Sequence, residues 1–226
     1  MFGSIHRIFR IFYITGIVFC LAGLLSGVGC SKGFLENRPA LEKRWTCDKE
    51  ADEAMKQHDY EAAILLHHSL LRKEPANGLA LYHLGYAYGQ TGDHQKEALY
   101  YEQAIDLGFK EDSIFFNLGM AYGELDQIEN SIYAFNKALN INPDNADSHF
   151  GLAIAYQRSV ADALAEEEFL KAIEIDPAHV SSRLYLSLLY ADMGELQKAD
   201  EQLRKILEID PAHRGALEFL KRIRKE

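Results

Sequence analysis

Cysteine, proline and tryptophan are scarce here: 226 residues hold three, five and one of them. Three cysteines make no disulfide framework, because Cys20 lies inside an apolar run, Cys30 ends that run and Cys47 stands alone in the body. No CxxC pair or spaced Cys/His array points to zinc. A glycine-rich phosphate loop, a GxSxG elbow and an HExxH helix are all missing, so no catalytic motif stands out. Basic charge is short as well. The formal net charge is -10, and because Arg7 and Arg10 are the charged residues before Cys30, the remainder sets 34 acidic against 22 basic side chains, or -12. That field repels polyanions unless a basic patch offsets it, and the one basic cluster lies in the last stretch, so nucleic acid is not an expected partner.

What is present begins with an N-terminal run that is uncharged from Ile11 to Val28, preceded by the two arginines. A basic start, an apolar centre and small residues before a processing point make a secretory signal over residues 1–29. Its end, "LLSGVGC", resembles a bacterial lipoprotein signal, although Gly27 stands where that family usually has Leu. The resemblance implies that Cys30 receives a diacylglyceryl group and becomes the mature N-terminus. With Ser31 next, it further implies an exported protein in the bacterial periplasm, at the outer membrane. The alternative is an uncleaved signal anchor, since 18 residues is at the short end of the roughly 17–25 that span a bilayer. Residues 30–43 are polar, contain Pro39 and read as a tether.

The body is 48% hydrophobic and 26% charged over the whole chain, the composition of a foldable unit. It repeats itself. "KAIEIDPAHV" at 171–180 returns as "KILEIDPAHR" at 205–214, thirty-four residues on. The same step links Tyr88, Tyr122, Tyr156 and Tyr190, and also Leu84, Leu118, Leu152 and Leu186. Pro143, Pro177 and Pro211 align too, with Phe109 in the preceding slot. Thirty-four is the period of the tetratricopeptide repeat, a helix–turn–helix unit. The stretch 112–145 resembles that family closely, with Leu118, Gly119, Tyr122, Ser131, Phe135, Ala138 and Pro143 at unit positions 7, 8, 11, 20, 24, 27 and 32. Small residues let the two helices approach, large ones fill the gaps between units, and proline breaks the chain after the second helix.

The resemblance implies an all-α, right-handed solenoid of about five repeats, at 44–77, 78–111, 112–145, 146–179 and 180–213, closed by a capping helix over 214–226. Three departures stand out. Ala98 sits one slot late, which points to an extra residue in the second unit's internal turn. The fourth unit has no turn glycine in "YQRSVADALAEEEF", and the first places Cys47 and Glu50 where large apolar residues belong. In the last helix Leu217, Leu220 and Ile223 form the apolar stripe.

In this family the first helix of each unit lines the concave face. Positions 5 and 9 read Tyr82 and Tyr86, Phe116 and Met120, Phe150 and Ile154, Leu184 and Leu188, all apolar or aromatic. That row predicts an apolar groove for a protein or peptide partner. Among Gln90, Glu124, Arg158 and Asp192 at position 13 only one is basic, which does not fit a carboxylate-clamping groove. Histidines His67, His68 and His83 invite a metal, but adjacent helical residues point about 100° apart and share an ion poorly. His179 and His213 read as solvent-facing loop residues. No enzyme activity, cofactor or metal is expected. The expected function is a membrane-anchored scaffold in envelope assembly, with a pilotin-like lipoprotein for pilus or secretin biogenesis, or a subunit recruiting an envelope hydrolase or synthase, as alternatives.

Overall fold

The computed structural model describes residues 45–46 and 48–224; the N-terminal segment with Cys30, the tether and Cys47 lie outside the described residues. Among the described residues the chain forms eleven helices and no strand. Five hairpins follow one another: α1 (Lys49–Lys56) with α2 (Tyr60–Lys73), α3 (Gly78–Gln90) with α4 (His94–Asp106), α5 (Asp112–Glu124) with α6 (Ile128–Ile141), α7 (Ala146–Arg158) with α8 (Asp162–Ile175), and α9 (Val180–Asp192) with α10 (Leu196–Ile209). A last helix, α11 (Arg214–Ile223), packs on α10. Each helix touches mainly its chain neighbours, the signature of a solenoid.

The period is kept by the backbone. Helices α3, α5, α7, α9 and α11 begin at residues 78, 112, 146, 180 and 214, and α2, α4, α6, α8 and α10 at 60, 94, 128, 162 and 196. Two residues before each second helix stands a residue with positive φ: His58 at 59°, Gly92 at 81°, Asp126 at 59°, Val160 at 62° and Gly194 at 79°. This corrects the expected extra residue in the second unit. The small residue there is late because Glu97 occupies the small slot, and Gly89 makes room for it: a Cβ on Gly89 would lie 2.5 Å from a Glu97 carboxylate oxygen. The fourth turn is also regular, with Val160 forced into a conformation that β-branched residues resist.

The repeated Asp-Pro-Ala-His now has a physical reading. Asp176 and Asp210 each accept a hydrogen bond from the alanine N–H two residues on, at 2.9 and 3.0 Å, fixing the turn after the preceding helix. His179 and His213 then cap the next helix, their Nδ1 atoms accepting the Ser182 and Ala216 N–H groups, both at 3.1 Å. They are therefore half-buried capping residues, which corrects the expectation that they face solvent. Unit two lacks the motif and stops with Gly108 at φ 94° instead, its N–H bonding Ile105 while Phe109 N–H reaches Ala104.

Packing follows the alternation of small and large. Ala104, Ala138 and Ala172 are fully buried, as are Tyr101, Phe135 and Phe169 between them. Position-11 tyrosines tie units together: Tyr88 meets His68 at 3.0 Å and Tyr190 donates to Glu166 at 2.8 Å. In α11 the inward face is Ala216, Phe219, Leu220 and Ile223, while Leu217 is exposed, so Phe219 takes the place expected of Leu217. The first unit is short at its start. Trp45 compensates by lying over Gly78, donating to the Ala76 carbonyl at 3.1 Å and meeting Phe109 at 5.6 Å.

Candidate functional site: a concave cavity at the third and fourth units

The eight residues expected to line the groove separate into four groups. Tyr82 is 6% exposed, stacked 4.9 Å from Phe109 and tilted against Tyr101 at 5.8 Å, so its ring packs inside and lines no groove. Tyr86 is half-buried, edge-on to Tyr60 at 6.2 Å, and burial pushes its hydroxyl above the usual phenol range. Leu184 and Leu188 are half-buried against the C-terminal core. Phe116, Met120, Phe150 and Ile154 instead converge on one cavity of about 120 Å³.

Its floor is Phe135 of α6, and its walls are α5, α7 and the start of α9, where Tyr185 meets Phe150 edge-on at 5.4 Å. The space exists because the backbone is bare around the floor. A Cβ on Gly151 would run into the Phe135 ring, and one on Gly119 would lie 3.0 Å from it. Ser131 adds little bulk and spends its hydroxyl on the Gly119 carbonyl at 2.7 Å. Polar groups stand at the rim. Asp147 accepts from His179 Nε2 at 3.1 Å, and Glu124, also lining the cavity, is exposed. Arg158 is engaged within the fold, donating to the Gly123 carbonyl at 2.6 Å and pairing with Asp126 at 2.8 Å. It holds the end of α5 rather than offering an anion site.

A second polar cluster is not visible from sequence neighbours, because His67 does not pair with the adjacent His68. His68 turns to Tyr88 and Tyr100, whereas His67 faces His83 at 5.0 Å between ring centroids, with Asp52 beside both. The signal that finds it is the thirty-four-residue register itself: these side chains stand where other units place apolar residues, tyrosines or Asn117, never an acid or an imidazole.

A TPR-repeat family model matches residues 121–160, and tetratricopeptide-repeat models match 49–109 and 182–213. Tetratricopeptide repeats therefore build the body of this chain, and its fold is a tetratricopeptide-repeat solenoid. No curated protein sequence matches it. Among solved structures it is similar to MamA, with 23% identity, a TM-score of 0.69, and coverage of 74% of this chain and 97% of that one. It is also similar to YrrB, described as a TPR protein with an unusual peptide-binding site, at 22% identity and TM-score 0.67 over 76% of this chain and 88% of that one. A third likeness, to the thermophilic TPR protein TTC0263 of Thermus thermophilus, has 20% identity and TM-score 0.61 over 78% and 96% of the two chains.

Proposed function

We propose that this chain is a non-enzymatic interaction scaffold that seats an apolar segment of a protein partner in the cavity between α5, α7 and α9. The observation that carries the reading is the convergence of Phe116, Met120, Phe150 and Ile154 on one recess whose walls are kept low by glycine. A concave apolar recess with few polar groups suits an anchoring side chain of a bound peptide. Glu124 and Asp147 at the rim, on a chain of net charge -10, favour an anchor flanked by basic residues. The peptide-binding site in YrrB's description is consistent with that use of the fold. The lipoprotein-like end of the N-terminal segment supports attachment through Cys30, in the bacterial envelope, and so an exported partner.

Two experiments test these parts separately. Peptides carrying a phenylalanine or leucine anchor between lysines should bind the full chain in an anisotropy titration. Met120→Lys with Ile154→Lys should weaken that binding by about tenfold or more, roughly 1.4 kcal/mol or above, with little change in Tm because both residues are partly exposed. Equal binding would remove the cavity from the account. For the anchor, an acylated mature N-terminus at Cys30, with unprocessed precursor in Cys30→Ser, is the expected mass-spectrometric result; an intact Met1 in both would replace lipidation with a signal anchor.

A further inference from the structure

Three positions meet wherever the second helix of one unit packs beneath the first helix of the next. In the later junctions these are Tyr86, Tyr101 and Asn117; Met120, Phe135 and Gly151; Ile154, Phe169 and Tyr185; and Leu188, Leu203 and Phe219. Apolar or ring contacts fill the last three of these, as where Phe169 lies 6.3 Å from Tyr185 and Phe135 fills the space over Gly151, while in the second the Asn117 side chain hydrogen-bonds Tyr101. In the first junction the same three positions are Asp52, His67 and His83. None of the later junctions carries a carboxylate or an imidazole at any of the three positions.

Burial makes this departure costly unless something answers it. Asp52, His67 and His83 are 4%, 1% and 5% exposed. Both Asp52 oxygens, both His67 nitrogens and His83 Nδ1 are buried with no hydrogen-bond partner. An unpaired polar atom in the interior loses its hydration without replacement. One ligand atom from each residue lies within 4.8 Å of the others, and His83 Nδ1 is 3.5 Å from Asp52 Oδ1. Metal–nitrogen and metal–oxygen bonds of roughly 2.0–2.2 Å in a tetrahedron set ligand atoms about 3.3 Å apart. One edge of the triangle already has nearly that length, and the other two close with side-chain adjustments.

We propose that Asp52, His67 and His83 bind one divalent transition-metal ion of the zinc class. Two imidazoles and one carboxylate suit borderline ions such as zinc, cobalt and nickel, whereas magnesium and calcium take oxygen ligands. A water completes the coordination. The ligands come one each from α1, α2 and α3, so the ion staples the short first helix to the second unit. Burial supports the chemistry, holding His67 at a pKa of about 4 and His83 at about 3, so both imidazoles present lone pairs at neutral pH. The same burial raises Asp52 to about 6, with Lys56 and Asp48 of the first unit as its charged neighbours, and a dication beside it reverses that shift. The site is remote from the cavity at α5, α7 and α9, so its failure leaves the partner reading untouched.

The test uses the purified full chain stripped with a chelator and titrated with cobalt(II), zinc(II) and magnesium(II). Cobalt should bind one per chain with the strong visible bands of low-coordinate cobalt and no thiolate charge-transfer band, which separates this site from any cysteine site. Zinc should displace it; magnesium should not. Copper(II) in the wild-type chain should show hyperfine coupling to two imidazole nitrogens, a readout that requires no variant. His67→Phe places a ring where Phe135 and Phe169 stand in later units, so it should fold while weakening cobalt binding by about 100-fold or more and abolishing the rise of Tm with zinc. Cobalt binding that survives His67→Phe, coupling to fewer than two imidazoles, or a thiolate band would overturn the assignment and leave the trio as a metal-free polar cluster.

Discussion

The first junction and the third use the same three unit positions to opposite ends. At the third, Met120, Phe135 and Gly151 enclose an aromatic ring and leave an apolar recess above it. At the first, Asp52, His67 and His83 fill the equivalent space with five unpartnered polar atoms. The three positions fall at the same places in the helical hairpin at both, although the first unit's leading helix is the shorter, Lys49–Lys56 against Asp112–Glu124. What differs most is side-chain chemistry, so a solenoid of repeating hairpins can hold two sites of unlike character. In a repeat fold each junction is a local decision, because a unit contacts only its neighbours.

That comparison can be broken at the aromatic end first. Phe135→Ala should cost about 3–5 kcal/mol, the range for removing a buried ring, read from the midpoint of denaturant unfolding. A loss below about 1 kcal/mol would mean the third junction is not held by its ring. Acid should break the other end. His67 and His83 have folded pKa values of about 4 and 3, below the ordinary 6.5, so the stability of their neutral forms is present above about pH 6.5 and is lost as pH falls through that range. Asp52 works the other way, its raised pKa of about 6 favouring the protonated fold at low pH. With two histidines against one carboxylate, the metal-free chain should lose roughly 4 kcal/mol between about pH 7 and 4, and first at α1 by hydrogen exchange. His67→Phe should flatten that dependence. At neutral pH without metal the same variant should gain about 1 kcal/mol, because it removes two unpaired nitrogens. The smallest effect concerns the turns rather than the junctions. Val160→Gly should stabilise by about 0.5 kcal/mol, relief from positive φ offset by glycine's unfolded-state entropy, measured as a small rise in Tm.

Much of this is legible in the sequence, because the repeat is written in residue types whose roles are local. Leu118, Gly119, Ala138 and Pro143 mark helix faces, close approaches and breaks without reference to distant partners. The turn at Val160 is not legible, since the closing bonds of its own hairpin, Val160 N–H to the Gln157 carbonyl and Ala161 N–H to the Tyr156 carbonyl, hold a conformation that valine's own preference argues against. Glu97 and Gly89 form a compensated pair across two helices, and from the sequence only the displaced Ala98 is visible. Position 5 assigns Tyr82 to a groove because that slot faces inward along the concave side. Phe109, standing in the slot that other units give to proline, supplies the ring that draws it into the core. The metal-ligand trio emerges only when three residues on three helices are compared with their counterparts at once.

The central functional claim is that the recess over Phe135 receives a partner. It is tested most directly by placing a photo-reactive phenylalanine at Ile154 and, for comparison, at Leu65, which is 71% exposed on α2 away from the cavity. The account predicts a discrete crosslinked product from position 154 in cells, competed by a lysine-flanked apolar peptide and absent from position 65. Crosslinks of equal yield and pattern from both positions would contradict it.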